Sequence, residues 1–91
     1  MAKLIEGEKG HHVVLYALST CPECQKTKDL LAELHVEYYC EDADLLADSA
    51  RRDVIADVER WNPKRSFPTI VIDNNRCIIG YKSNELRFLL Q

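Results

Sequence analysis

The sequence predicts an α/β domain in which a four-stranded mixed β-sheet is flanked by three helices, in the order β-α-β-α-β-β-α. A continuous apolar run at residues 13–18 predicts a strand buried on both faces. Two later segments carry apolar residues every three or four positions, which predicts amphipathic helices. Two short apolar runs near the C-terminus predict a hairpin. Strands that alternate with helices pair in parallel and a hairpin adds antiparallel pairing, so we expect a mixed sheet.

The first helix is expected to begin at Pro22, because a proline at the first helical position loses no hydrogen bond. Leu30, Leu31 and Leu34 lie on one stripe of this helix, which predicts the face that packs on the sheet. His35 follows at the position where a left-handed residue commonly ends a helix, and histidine tolerates that conformation better than most residues.

The second strand is predicted at residues 36–41, where alternation places Cys40 on the inner face. Asp42 and Asp44 are candidate caps for a second helix, because a carboxylate can accept from free N–H groups at a helix start. The apolar periodicity of that helix continues to Trp61.

The last elements are predicted from turn residues. Residues 69–73 form the third strand, and the pair Asn74-Asn75 is a candidate hairpin turn because asparagine accepts a positive φ. Residues 76–79 return as the fourth strand, Gly80 interrupts it, and Ser83 is a candidate cap for the last helix.

Size and charge restrict the function. The chain has 91 residues, which predicts one domain at residues 11–91 preceded by a loose lead-in at residues 1–10. With a net charge of -3, the chain lacks the excess of basic residues that is typical of proteins that bind nucleic acid. No apolar run approaches the about 20 residues of a membrane span, and the N-terminus lacks an apolar signal region. The four cysteines are therefore expected to be reduced thiols. We expect a cytoplasmic monomer.

Cys21 and Cys24 are the residues that indicate the chemistry of this protein most directly. They lie two residues apart, directly after the predicted first strand and at the start of the first helix. Free N–H groups and peptide dipoles at a helix start stabilise an anion, so this position favours a reactive thiolate. A zinc site would need a second pair of ligands at short spacing, whereas Cys40 and Cys77 stand alone. The pattern therefore favours thiol–disulfide exchange, with Cys40 in the core and Cys77 passive or regulatory.

A second signal is the segment Ser66-Phe67-Pro68-Thr69, which opens the third strand. A proline there has an ordinary explanation as the first residue of a strand. Its occurrence after a pair of spaced cysteines favours a different role, in which the backbone around Pro68 lines a substrate groove.

Together these residues resemble the glutaredoxin family, and the resemblance extends from about residue 12 to the C-terminus. Gly80 and Tyr81 also match the family pattern, but less specifically. The resemblance implies a thioredoxin fold, a cis peptide bond before Pro68, an attacking thiol at Cys21 and a resolving thiol at Cys24. The residues it implies for binding of the substrate or thiol are Pro22, Glu23, Phe67, Pro68, Thr69, Gly80 and Tyr81.

The chain also departs from the family pattern. Leu18 occupies a position where many family members have a basic residue. Glu23 stands where the family often has an aromatic residue, and Tyr81 stands where it commonly has a second glycine. A Gly-aromatic-basic turn is more similar to the glutaredoxin-like redoxins that thioredoxin reductase serves. The expected partners are thus a disulfide-bearing protein substrate and, as electron donor, a thioredoxin-reductase-type enzyme or glutathione. No organic cofactor and no metal are expected.

A second function stays open at this level. Some glutaredoxins form dimers that share an iron–sulfur cluster through the first motif cysteine, and such a protein acts as a binding module or cluster carrier. Most of those proteins have one motif cysteine. The presence of Cys24 therefore favours the redox function.

Overall fold

The computed structural model describes residues 2–91 and shows a five-stranded sheet with helices on both faces. The strands are β1 (Lys3–Ile5), β2 (Val13–Ala17), β3 (Tyr38–Asp42), β4 (Thr69–Ile72) and β5 (Arg76–Ile79). The helices are α1 (Pro22–Glu33), α2 (Asp48–Trp61) and α3 (Ser83–Leu90), with a short 3-10 helix at Ala43–Leu45. Within this part of the chain, every helix is too short or too polar to cross a bilayer.

The strand order is β1-β3-β2-β4-β5, with β2 parallel to β3 and every other pair antiparallel. The predicted α/β class, mixed sheet and three helices are confirmed. Side chains alternate across the sheet, so Leu15 and Ile70 pack with α1 and α3 while Tyr16 and Val71 pack with α2. Two apolar cores result, one on each face.

The fifth strand comes from the segment predicted as a loose lead-in. In β1, Lys3 pairs with Cys40 and Leu4 with Tyr39, and β1 forms one edge of the sheet. The backbone of Glu8 then donates to the carbonyl of His35 at 2.7 Å. Within the segment predicted as a loose lead-in, residues 3–5 thus form a strand and Glu8 is hydrogen-bonded to the rest of the chain. A three-residue, mostly exposed edge strand has no alternating apolar pattern from which it could be recognised.

Three predicted helix caps are also wrong. Helix α2 begins at Asp48, after Ala47, because the 3-10 helix occupies the chain after β3. Asp42 makes no cap hydrogen bond, and Asp44 lies inside the 3-10 helix with its carboxylate directed to another loop. Ser83 is the first residue of α3 and does not cap it.

The hairpin turn is displaced by one residue from its predicted position. Asp73 and Asn74 both have a φ of 55°, and the N–H of Asn75 donates to the carbonyl of Ile72. The central pair is therefore Asp73-Asn74. The residue after α1 is as predicted, since His35 has a φ of 57°.

Asn62 organises the loop that precedes β4. Its side chain is buried, and its Nδ2 donates to the carbonyl of Ser66 at 3.1 Å and to the hydroxyl of Thr69 at 3.0 Å. Its Oδ1 accepts from the N–H of Lys64 at 3.2 Å. One amide thus holds three points of the segment that carries Pro68.

We expect Asn62→Ala to lower the free energy of unfolding by roughly 1–3 kcal/mol, because the buried hydroxyl of Thr69 and the carbonyl of Ser66 lose a donor. Urea denaturation measures this change. Asn75→Ala, at an exposed site in the hairpin, is the matched control and should change stability by less than about 0.5 kcal/mol. Equal effects of the two substitutions would contradict this role for Asn62.

Gly7 tests whether the N-terminal segment is docked. A Cβ at Gly7 would lie 2.7 Å from the carbonyl oxygen of His35 and 2.8 Å from the nitrogen of Glu37, whereas a Cβ at Gly10 would meet nothing within 4 Å. Gly7→Ala should therefore destabilise the protein by roughly 1–3 kcal/mol, because backbone must shift to make room. Gly10→Ala should be near neutral in the same urea experiment. Indistinguishable stabilities would mean that the segment is as loose as its sequence suggested.

Candidate thiol–disulfide site

Cys21 is the N-cap of α1, at the end of the loop that leaves β2. Its backbone is extended, with φ -84°, and its Sγ accepts a hydrogen bond from the N–H of Cys24 at 3.2 Å. Pro22 follows at the helix start, as predicted, where its missing N–H costs nothing. The sulfur therefore lies where the free N–H groups of the helix point, and that position stabilises a thiolate.

Cys24 has the opposite environment. Its side chain is fully buried in the core between the sheet and α1, whereas Cys21 is partly exposed. Burial raises the pKa of Cys24 to about 12, and the hydrogen bond with Cys21 adds to that rise. The two thiols are thus adjacent but differ in access: one can meet a substrate, and the other can meet only Cys21.

The loop before Cys21 is held by Asp44, which the sequence predicted as a cap of the second helix. Asp44 accepts from the N–H of Ser19 at 2.8 Å and also from the Ser19 hydroxyl. Hydrogen bonds from Ser19 hold the pKa of the Asp44 carboxyl below its usual range. No local pattern indicates this contact, because the residues are distant in sequence and meet only when β2 and β3 end side by side.

Pro68 lies at the same end of the sheet. Tyr16 pairs with Thr69, so the start of β4 is next to the end of β2, and the peptide bond between Phe67 and Pro68 is cis. The N–H of Gly80 donates to the carbonyl of Pro68 at 2.8 Å, which brings a further predicted residue to this edge.

Phe67 and Thr69 differ in what they offer a ligand. Thr69 is fully buried, and its hydroxyl donates to the carbonyl of Ser66, so its side chain serves the fold. Phe67 is half-buried, and within residues 2–91 its backbone N–H and carbonyl make no hydrogen bond. An extended ligand could therefore pair with the backbone at Phe67.

The turn after β5 closes the site. Gly80 has a φ of 85°, a conformation in which a side chain is strained. The N–H of Tyr81 donates to the Oε1 of Glu23 at 3.4 Å, so Glu23 reaches from α1 across to this turn. The Tyr81 side chain packs on the core and lines a groove between α1 and α3 together with Leu30. Tyr81 therefore presents its backbone to the site.

The remaining cysteines lie apart from this arrangement. Cys40 is buried in the core, which confirms its predicted packing role, and Cys77 is half-buried on β5. Residues 2–91 contain no group of three or more histidine, cysteine, aspartate or glutamate side chains arranged to hold a metal ion. An iron–sulfur cluster shared by two copies through Cys21 stays a prediction.

The chain is similar in sequence to known glutaredoxins. Residues 13–78 match the glutaredoxin family model. A probable glutaredoxin of Synechocystis sp. is 41% identical over 64 residues, which are 68% of this chain and 66% of that protein. The match thus spans just under two thirds of the relative's length.

Two solved structures are similar over nearly the whole chain. The glutaredoxin from Methanosarcina mazei Go1 has a TM-score of 0.90 at 36% identity, covering 98% of this chain and 86% of its own. Methanosarcina acetivorans methanoredoxin has a TM-score of 0.84 at 37% identity, covering 92% of this chain and 97% of its own. With its paired cysteines at the start of α1, the chain belongs to the glutaredoxin family of thiol–disulfide oxidoreductases.

Proposed function

We propose that this protein reduces disulfides of proteins or small molecules through a Cys21/Cys24 dithiol, and that Cys21 attacks while Cys24 resolves. The main observation behind this proposal is that the two thiols differ in solvent exposure. Cys21 is partly exposed at the helix N-cap, and Cys24 is fully buried one turn further on. Within this pair, only Cys21 is exposed enough to reach a substrate sulfur.

In the first step, the Cys21 thiolate attacks one sulfur of the substrate disulfide. A bond forms between Cys21 and that sulfur, the substrate S–S bond breaks, and the other substrate sulfur leaves as a thiolate. The N–H of Cys24, 3.2 Å from the Cys21 sulfur, and the other N–H groups of the first turn stabilise the attacking anion.

In the second step, Cys24 gives up its proton, by way of solvent, to the substrate thiolate released in the first step, and the Cys24 thiolate then attacks the Cys21 sulfur within the mixed disulfide. The Cys21–Cys24 bond forms, the bond to the substrate breaks, and the second substrate sulfur leaves as a thiolate that takes a proton from water. The substrate disulfide has gained two electrons, and the cysteine pair has become a disulfide. The thiols themselves carry the electrons, so this exchange needs no bound organic group.

The free backbone of Phe67 favours an extended substrate. The free backbone N–H and carbonyl of Phe67 lie at the start of β4, next to the end of β2 that delivers Cys21. A peptide that pairs there in a strand-like manner would bring its sulfur towards Cys21. A reducing compartment such as the cytoplasm would keep the Cys21/Cys24 pair in the dithiol form that this reaction needs.

For the electron donor, we propose a thioredoxin-reductase-type enzyme in preference to glutathione. The Glu23 carboxylate already accepts from the N–H of Tyr81, so a small thiol with its own carboxylates would compete with it and be repelled by it. Leu18 offers no compensating cation, and the Lys82 ammonium donates to the carbonyl of Ile79. A protein donor does not depend on that one N–H.

The roles of the two cysteines can be tested directly. Cys21→Ser should abolish disulfide reduction, because no other thiol in the site is accessible. Cys24→Ser should retain the first step and accumulate a mixed disulfide with the substrate, visible as an intact-mass increase. Cys77→Ser, which removes the other half-buried thiol, should leave turnover unchanged. Faster alkylation of Cys24 than of Cys21 by iodoacetamide would show that the roles are reversed.

The donor can be tested by turnover of the oxidised protein at matched reducing power. We expect thioredoxin reductase to exceed glutathione with glutathione reductase, and Glu23→Gln to raise the glutathione-dependent rate by roughly two- to fivefold as one exposed charge is removed. Glu59→Gln, an exposed carboxylate on α2, is the control and should have no effect. Efficient cycling with glutathione, and none with thioredoxin reductases, would overturn the proposed donor.

A further inference from the structure

A half-buried ion pair lies one helical turn beyond the resolving cysteine. The Nζ of Lys28 is 2.9 Å from the Oδ1 of Asp42, and the two side chains are only 22% and 23% exposed. Lys28 follows Cys24 by four residues on α1, so both side chains lie on the same face of the helix. By contrast, the Arg60–Asp57 pair on α2 is 78% and 52% exposed. Lys28 is therefore held against the core, close to Cys24.

The surroundings of this pair keep Lys28 charged. Burial opposes the charge, but it is outweighed by the hydrogen bond with Asp42 together with the negative charges of Asp42 and of the Cys40 and Cys24 thiols when they are ionised. The pKa of Lys28 is therefore raised above its ordinary value. The Cys40 thiol lies 3.9 Å from the other oxygen of Asp42. The other charged and titratable groups around the cluster are Cys21 at the N-cap of α1, Asp29 on α1, Tyr38 and Cys40 on β3, and Lys3 on β1.

The balance of charges at Cys24 changes during the reaction. In the dithiol, burial raises the pKa of Cys24 most, and the hydrogen bond and charge of Cys21 raise it further. In the mixed disulfide, Cys21 has neither a proton nor a charge, so both of its contributions disappear. Burial is then opposed by a hydrogen bond with the backbone of Leu18 and by the positive charge of Lys28.

We propose that Lys28, held in place by Asp42, is a positioning residue that stabilises the Cys24 thiolate in the resolving step. This inference rests on the proposed function. The thiolate that Lys28 stabilises attacks Cys21, the Cys21–Cys24 bond forms, and the substrate thiolate leaves with the electron pair. Lys28 neither gains nor loses a proton. It makes the buried thiol ionise more readily at the stage when the thiol must act.

The test separates the two steps with 5,5′-dithiobis(2-nitrobenzoate) in a Cys77→Ser background. Attack by Cys21 releases one coloured thiolate, and attack by Cys24 releases the second, so stopped-flow absorbance gives both rates. We expect Lys28→Met to slow the second release by roughly three- to tenfold and to shift its pH profile to higher pH, as expected for the loss of one nearby positive charge. The first release, measured with Cys24→Ser also present, should be unchanged.

Matched variants exclude a merely structural effect. Lys28→Arg should restore the second rate, since it keeps the charge, and Asp42→Asn should give an intermediate rate because Lys28 is no longer held. Lys26→Met, at an exposed position on α1, should behave as wild type. An unchanged second release in Lys28→Met, equal slowing of both releases, or failure of arginine to rescue would overturn the proposal. Release of only one equivalent by the otherwise unmodified Cys77→Ser protein would instead overturn the proposed function.

Discussion

The pairing of β2 with its two neighbours is the interaction on which the rest of the structure depends. β2 lies in the middle of the sheet, parallel to β3 and antiparallel to β4. Because β2 runs parallel to β3, both strands end at the same edge, and because β4 runs the other way, it begins there. One edge of the sheet thus receives Cys21 from β2, Asp44 from the chain after β3 and Pro68 from the chain before β4.

The same packing makes the two thiols different. Helix α1 lies against the sheet with Cys24 and Leu31 fully buried, while its first turn projects beyond the edge with Cys21. Two chemically identical thiols thereby differ in solvent exposure, and this difference supports the roles proposed for Cys21 and Cys24. The burial that protects Cys24 from solvent also opposes its ionisation, and the Lys28 charge acts against that cost.

Polar side chains fix the loops around this edge, where strand pairing has ended. Asn62 holds the segment before β4, Asp44 holds the loop before Cys21, and Glu23 reaches the turn at Tyr81. Each contact joins segments from different parts of the site. Loops that carry reactive groups need such anchors, because they lack the ladder of hydrogen bonds that orders a strand.

The sequence by itself determined the class of fold, the helices, the hairpin and the cysteine pair, because hydrophobic periodicity and turn residues are local signals. It did not reveal β1, whose three residues gain order only from pairing with β3. Nor did it indicate the Asp44–Ser19 contact or the Lys28–Asp42 pair. These contacts join distant parts of the chain, and only the tertiary structure, by setting which strand ends meet at one edge, decided them.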